Sequence, residues 1–331
     1  MKLSNRSAWI AVLAVGLVFL PACDWKPRAP KNAEGDRIDV LTVSPSQPEE
    51  LKAAAETEAA KMDYRYRLEV LQAYYDRIGN IDKYLWATKE IENLRKAWTF
   101  EFGGLPPITP PAGESLERAD ERLLVERLVD ARKRYTESVA NLAEVYHRAG
   151  KDFETRLIRN VEDRFDPVRT YMYYPSAELP PEQARPVALI PEADALFAEA
   201  VSLHAKGKGI LHIAPTTSYG KQRQALVKFL QLVAKYPTSN KVALSCYYVG
   251  EIYKEYFNEN LRSVYWYQRA WQLDPNITKP ARFQAATVYD FRLQDKEKAV
   301  ELYRLAIKHE QFNSSNVRYS HQRIGELTGQ E

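Results

Sequence analysis

Five histidines and the acids of the C-terminal helices are the side chains of this sequence that could support metal or acid–base chemistry. The histidines are His147, His204, His212, His309 and His321. They form no HxxH or HExxH pair and no cluster with cysteine, so we expect no metal site. Glu251, Glu255 and Asp290 could act as acid and base in principle, but acids on charged helices are usually solvated.

Motifs for phosphate, dinucleotide or acyl chemistry are also missing from the sequence. It contains no G-x-G-x-x-G after a strand, no G-x-x-x-x-G-K-[ST] and no G-x-S-x-G. The string Gly207-Lys208-Gly209 is too short to indicate phosphate binding. We therefore expect no cofactor and no enzymatic activity, and interpret the chain as a binding protein.

The charge balance argues against a nucleic-acid partner. Among 331 residues, 47 Lys and Arg stand against 44 Asp and Glu, and loss of the first 22 residues with Lys2 and Arg6 would leave 45 against 44. A surface that binds phosphates normally carries a basic excess on at least one segment. No segment of this sequence has one.

The first 22 residues have the layout of a secretory signal. Lys2 and Arg6 precede an apolar run from Ala8 to Leu20, which is 13 residues long. A helix that spans a membrane needs about 20 apolar residues. A cleaved signal at 1–22 is therefore favoured over an uncleaved anchor.

Cys23 follows this run in the string Leu20-Pro21-Ala22-Cys23. An apolar stretch, a small residue and a cysteine resemble the lipobox of bacterial lipoproteins, although Pro21 stands where that motif usually has a small or aliphatic residue. The resemblance implies cleavage before Cys23 and a diacylglyceryl group on its sulfur. The alternative is an ordinary signal peptide that leaves a free cysteine near the new terminus.

The second cysteine, Cys246, would have no disulfide partner if Cys23 carries lipid. Its neighbours are those of an apolar helix. We expect Cys246 to be a small buried hydrophobic residue rather than a reactive thiol.

The segment before residue 186 is predicted to be a tether followed by helical hairpins. Residues 23–47 hold few strongly hydrophobic positions and several prolines, which is typical of a flexible tether. Region 48–185 should form antiparallel hairpins, because apolar residues recur at three- and four-residue spacings and the connections are short. The predicted helices run from Pro48, capped by Ser46 or Gln47, to Gly79; from Ile81 to about Phe100; from a Ser115 cap to about Ala149; and from about Phe153 to Phe165.

Two proline-rich segments interrupt the helical pattern. Phe102–Gly113 is rich in helix breakers and is predicted to be a loop. Asp166–Pro191 contains six prolines, which places a domain boundary near residue 185. Within it, we expect the tyrosine-rich string at 171–174 to pack against the helices.

Region 186–331 repeats itself with a period of 36 residues. Tyr253 recurs as Tyr289, Tyr267 as Tyr303 and Ala270 as Ala306. Small residues recur at the same offset, as Gly250 with Ala286 and Ser263 with Ala299. Small residues suit close helix crossings, and large aromatic residues fill the gaps between helices.

This pattern resembles the tetratricopeptide repeat, a pair of helices with small and aromatic residues at fixed positions. The resemblance implies an all-α fold in which hairpins lead into a C-terminal α-solenoid. Each turn within a pair is one residue longer than in that family. An earlier unit would use a first helix at about 192–206, an insertion at 207–217 and a second helix with Ala225 and Phe229, and 316–327 would cap the array.

The combination of a lipobox and such repeats resembles the lipoproteins of the outer-membrane β-barrel assembly complex and other envelope repeat proteins. The string between two of the units is Lys235-Tyr236-Pro237-Thr238-Ser239. The resemblance covers 186–331 and not the helical region 48–185. It implies a protein that is exported and lipid-anchored, on the outer membrane or on the periplasmic face of the inner membrane.

The first helix of each repeat should line a curved inner surface that binds a partner. The side chains expected there are Phe197, His204, Tyr247, Glu251, Lys254, Phe283, Thr287 and Asp290. Aromatic anchors with flanking charge suit an envelope protein or an extended peptide. Two alternatives stay open, namely a small-ligand or cell-wall glycan binder and an envelope hydrolase. Tyr247 and Phe283 could instead pack between helices.

Overall fold

A computed structural model describes residues 41–113, 115–209 and 216–329 of the chain. Helices make up almost all of the regular structure in these ranges, which confirms the all-α prediction. The predicted signal segment, Cys23, residues 24–40 of the predicted tether and part of the predicted insertion at 207–217 lie outside the described residues. None of the described helices combines the length and apolarity that a membrane crossing requires.

The N-terminal helices form antiparallel pairs in the predicted order. The elements are β1 (Leu41–Val43), α1 (Pro48–Arg77), α2 (Ile81–Ala97), β2 (Phe100–Phe102), α3 (Glu121–Arg148) and α4 (Asp152–Arg164). Gln47 caps α1, and Glu50 completes a capping box. Helix α1 packs against α2 and α3, and α3 packs against α4. Their shared core contains tyrosines with fully buried rings, among them Tyr64, Tyr75 and Tyr146.

The predicted tether at 23–47 needs a correction at its C-terminal end. Strand β1 pairs in parallel with β2, with Leu41 opposite Phe100 and Val43 opposite Phe102. The Val43 side chain is buried in the N-terminal core. This pairing joins residues about 60 positions apart in the chain, and three-residue strands are too short for their alternation to be recognised in the sequence.

The predicted start of the third helix is also wrong. Helix α3 begins at Glu121, because the Asp120 side chain accepts a hydrogen bond from the Leu123 N–H at 3.0 Å. Ser115 instead lies in the loop, where its hydroxyl accepts a weak bond from the Glu117 N–H at 3.4 Å. Serine and aspartate are comparable N-caps, so local preference does not choose between them.

The C-terminal helices follow one another in pairs. They are α6 (Pro191–Gly207), α7 (Tyr219–Lys235), α8 (Val242–Phe257), α9 (Asn260–Leu273), α10 (Ala281–Val288), α11 (Lys296–His309) and α12 (Ser314–Thr328), and they follow the single-turn helix α5 (Pro175–Glu178). From α6 onward each helix packs against the next in the chain. That order fits a stack of hairpins, and the solenoid itself stays a prediction.

The residues that define the 36-residue period fill the core of these pairs. Tyr289 is half-buried, with the Lys298 ammonium over its ring. The others are buried: Gly250, Tyr253, Ser263, Tyr267, Ala270, Ala286, Ala299, Tyr303 and Ala306. Cys246 is buried among them as expected, and burial raises the pKa of its thiol to about 12.

The longer turns within the pairs have a shared structure. Asn258 and Gln294, which are 36 residues apart, both adopt left-handed backbone with φ of 56° and 57°. The next N–H, of Glu259 or Asp295, bonds to the carbonyl of a repeat tyrosine six residues earlier. After α10 the chain makes a π-helical turn at Tyr289–Leu293.

Gly250 marks the closest approach within a pair. A Cβ at this position would lie 2.9 Å from the Tyr267 ring and 3.1 Å from the Ser263 carbonyl oxygen. We expect Gly250→Leu to lower the free energy of unfolding by about 2–3 kcal/mol through overpacking. Chemical denaturation with Gly220→Leu as a control measures this, because Gly220 lies in helix α7 with open space around it. Equal stability of the two variants would contradict the packing described here.

The proline-rich segment 166–190 contacts helices on both sides. The Arg262 guanidinium, which is buried, donates to the carbonyl oxygens of Pro167 at 3.0 Å and Thr170 at 2.9 Å. Arg223 pairs with Asp166 at 3.1 Å. Tyr173 belongs to the N-terminal core and Leu179 to the C-terminal one. The tyrosine string therefore packs as expected, and the boundary near residue 185 stays a prediction.

A buried carboxylate anchors this segment to the hairpins. Glu90 in α2 is fully buried. It accepts hydrogen bonds from the Tyr64 hydroxyl, from Arg132 at 2.8 Å, from the Tyr173 hydroxyl at 3.1 Å and from the backbone N–H of residue 171 at 2.9 Å. Arg132 also pairs with Glu178 at 3.2 Å. Burial opposes the charge on Arg132, but the neighbouring acids outweigh it and raise the pKa of the guanidinium.

Candidate partner-binding surface

The first helices of the repeat pairs, α6, α8 and α10, and the π-helical turn after α10 carry the residues that the sequence predicts for binding. We refer to the side of the repeats that these helices form together with α12 as the first-helix face. The described structure joins neighbouring first helices through polar and aromatic contacts. Several of the predicted binding residues are engaged in those contacts, and their side chains differ widely in exposure.

His204 connects three helices at one end of the face. Its ring is 2% exposed. The Gln222 side-chain amide donates to the His204 carbonyl oxygen at 3.1 Å. The amide oxygen of the same Gln222 side chain lies 2.7 Å from the Nδ1 atom of His204. The Glu251 carboxylate lies 3.2 Å from Nε2. Each ring nitrogen of His204 thus lies within hydrogen-bonding distance of a side-chain oxygen on another helix.

Glu251 has a second partner. The Lys208 ammonium donates a hydrogen bond at 2.9 Å to the same Glu251 carboxylate oxygen that lies near His204. Burial alone would raise the pKa of the Glu251 carboxyl. The hydrogen bond from His204 and the charges of His204 and Lys208 outweigh burial and lower that pKa to about 2. The site therefore holds an ionised carboxylate between α6 and α8.

Lys254 joins α8 to α10. Its ammonium donates to the Gln284 side-chain oxygen at 2.6 Å and to the Thr287 hydroxyl at 3.3 Å. It also pairs with the exposed carboxylate of Glu255 at 3.0 Å. Thr287 and Lys254 thus lie together on the face, as the sequence predicts. They are hydrogen-bonded to each other within the protein itself.

Asp290 joins α10 to α11 and α12 from within the π-helical turn. It is 8% exposed. Its carboxylate accepts two bonds from the Arg323 guanidinium, at 2.8 and 2.9 Å, and one from the Tyr303 hydroxyl at 3.1 Å. A partner would have to displace Arg323 to contact this carboxylate. Asp290 therefore contributes to packing between the last helices.

The two repeat tyrosines of the second helices provide a matched test of this contact. Tyr303 donates to Asp290, whereas the buried Tyr267 hydroxyl has no partner among the described residues. We expect Tyr303→Phe to cost about 1.5–3 kcal/mol, the value of a bond to a charged group. Tyr267→Phe removes no such bond and should not lower the free energy of unfolding. Equal losses in urea titrations would refute the assignment.

The aromatic residues of the face form two groups. Between α6, α7 and α8, Tyr248 stacks on Phe229 at 5.1 Å and meets Phe197 edge-on at 5.9 Å. Between α10 and α12, Phe283 meets Tyr319 at 5.8 Å. Phe197, Tyr248 and Phe283 are half-buried, and Tyr319 is exposed. These rings present apolar edges beside charged groups.

Tyr247 does not lie on this exposed part of the face. It is 5% exposed and packs against Tyr267 with ring centres 5.5 Å apart. The neighbouring Tyr248 points toward α6 instead, where its ring lies 5.6 Å from His204. The alternative that Tyr247 packs between helices is therefore the one that the structure adopts.

Several contributors to the face have no place in the sequence prediction, among them Gln222, Tyr248 and Arg323. Tyr248 could have been recognised in the sequence, because it precedes Glu251 by three residues and therefore shares its helical face. No sequence pattern indicates Gln222 or Arg323, because each acts through a residue on another helix.

Clefts elsewhere in the described ranges involve other residues. One cleft lies at the α1–α2 turn and is lined by residues 78–82. Another lies over β2, with Glu58 of α1 and Ile108 of the following loop among its lining residues. Within the described ranges, no three His, Cys, Asp or Glu side chains are arranged as metal ligands.

Comparison of the chain with protein-family models, with curated proteins and with solved structures found no match.

Proposed function

We propose that the protein is a membrane-anchored scaffold of the cell envelope, which binds another envelope protein or an extended peptide through the first-helix face. Half-buried aromatic rings on adjacent first helices, with charged groups beside them, carry this proposal. Rings of this kind provide large contact areas at low entropic cost, and they dominate binding energy at interfaces.

The engaged polar residues also support a binding surface of fixed shape. Contacts of His204 with Glu251, of Lys254 with Thr287 and of Asp290 with Arg323 hold each first helix against its neighbour. A surface that is ordered before binding loses less entropy when a partner docks. We assign these residues to shaping the face and assign contact with the partner to the rings and to exposed charges such as Glu255.

Membrane attachment through Cys23 rests on the sequence, in which an apolar run and Leu20-Pro21-Ala22 precede the cysteine. Two acyl chains on one residue supply the second hydrophobic signal that stable anchoring requires. Mass spectrometry of the protein from membranes should find acyl chains on Cys23, and the Cys23→Ser variant should lack that added mass. A wild-type protein whose Cys23 carries no lipid would contradict lipid anchoring.

Affinity purification of the full-length protein from membranes tests partner binding. We expect a distinct envelope protein to co-purify, and we expect the double variant Glu255→Arg/Tyr319→Ala to lose it. The double variant Gln268→Arg/Arg304→Ala is the matched control, because these residues are exposed on the second helices α9 and α11. Retention of the partner by the first variant, or its loss from both variants, would contradict binding through the first-helix face.

A further inference from the structure

The proline-rich loop Leu105–Pro111 has a conformation that its sequence largely dictates. Four of its seven residues are proline, which fixes φ near −65°. A residue before proline is driven to extended or polyproline II backbone. Only Ile108 is neither a proline nor followed by one. These constraints favour a polyproline II helix across the whole loop.

The solvent exposure of the loop residues alternates with the three-residue period of a polyproline II helix. Leu105, Ile108 and Pro111 are half-buried, and the residues between them are exposed. A period of three is that of polyproline II, which has three residues per turn. Leu105 and Ile108 line the cleft over β2, together with Phe100 and Phe102. One edge of the helix therefore rests on the protein.

The two other edges face outward. Pro107 and Pro110 lie on one of them, and Pro106 and Thr109 lie on the other. The backbone of 105–113 takes part in no backbone–backbone hydrogen bond within the described residues. Pro107-x-x-Pro110 thus stands on the surface as a rigid, extended strip.

We propose that this strip is a second interaction surface, which docks into the aromatic-lined groove of a partner domain that recognises polyproline II segments. Such grooves accept the proline rings of a P-x-x-P segment between aromatic side chains, and they benefit because the ligand is already ordered. Pro107 and Pro110 enter the groove, while Leu105 and Ile108 keep the strip attached to β2. This surface lies on the N-terminal hairpins and is independent of the first-helix face.

Photocrosslinking in the producing cells tests the proposal with the full-length protein. A photoreactive residue at Thr109 should give an adduct with a partner domain, and the attached partner peptide should lie beside Trp or Tyr residues. Pro107→Ala/Pro110→Ala should reduce the adduct about tenfold, which corresponds to about 1.4 kcal/mol. A synthetic peptide with the sequence of residues 102–113 should compete, and the same peptide with both alanines should not.

Two controls keep this result interpretable. Pro107 and Pro110 are exposed, so the double variant should keep the fold and show the same helical content as the wild type by circular dichroism. A photoreactive residue at Gln268 on α9 measures background labelling. Labelling at Thr109 no stronger than at Gln268, or an adduct that survives both the alanine substitutions and the peptide, would overturn the proposal. Variants of the first-helix face should leave the adduct unchanged, which separates this test from that of the scaffold.

Discussion

Arg132→Met should destabilise the protein by about 3–5 kcal/mol, because it leaves the Glu90 carboxylate buried without a cation. Glu90 is fully buried and would keep only the bonds from two tyrosine hydroxyls and one backbone N–H. The segment that contains Glu178 would also lose its ion pair with α3. Urea unfolding at pH 7 measures the loss, and limited proteolysis between residues 166 and 190 should become faster.

Arg122→Met is the matched control for this substitution. Arg122 lies in the same helix and pairs with Glu126 at 2.8 Å, but both side chains are largely exposed. Exposed pairs of this kind contribute little to stability, because solvent screens the two charges. If Arg132→Met costs no more than Arg122→Met, Glu90 does not depend on Arg132 for its charge, and the proposed role of this ion pair in docking segment 166–190 is wrong.

Glu251→Gln should cost about 3 kcal/mol at neutral pH, with a defined pH dependence. The pKa of the Glu251 carboxyl falls from the ordinary value of 4.5 to about 2 in the folded protein. A difference of one between the folded and unfolded pKa corresponds to about 1.36 kcal/mol. A carboxyl whose pKa is lowered by folding stabilises the protein fully above its unfolded pKa and loses that effect as pH falls toward its folded pKa. The difference between wild type and variant should therefore be constant above about pH 5 and shrink between pH 4.5 and 2.

Glu255→Gln, one turn further along α8, provides the comparison. The Glu255 carboxylate is exposed and pairs with Lys254 at 3.0 Å. Its removal should change the free energy of unfolding by less than about 1 kcal/mol at any pH. A Glu251→Gln loss that stays the same from pH 7 to pH 3 would show that the carboxylate is not held by His204 and Lys208.

The helical framework was predictable because its signals are periodic. Small residues at Gly250 and Ala286 and aromatic residues at Tyr267 and Tyr303 recur at one offset, and the structure buries all four. The helix pairs before residue 166 also appear close to their predicted bounds. Periodic apolar spacing is a property of one helix, so it can be recognised without knowing what the helix packs against.

Contacts between distant segments were not predictable in the same way. Glu90 meets Arg132 and Tyr173, and β1 meets β2, across separations with no repeating spacing. Tyr247 shows the limit for the candidate site. Successive residues of a helix are rotated by about 100°, so placing α8 one residue out of register exchanges the roles of Tyr247 and Tyr248. The sequence placed both charge and aromatic residues on this helix but did not distinguish those that shape the face from those it exposes.

Site-specific photocrosslinking across the repeats tests most directly whether the first-helix face is a binding surface. Photoreactive residues at Glu255 and Tyr319 lie on that face, and those at Gln268 and Arg304 lie on the second helices. Our account predicts that the first two positions capture the same envelope protein in intact cells, and that the second two capture it at background level. Equal labelling of both sides, or capture from the second helices alone, would contradict it.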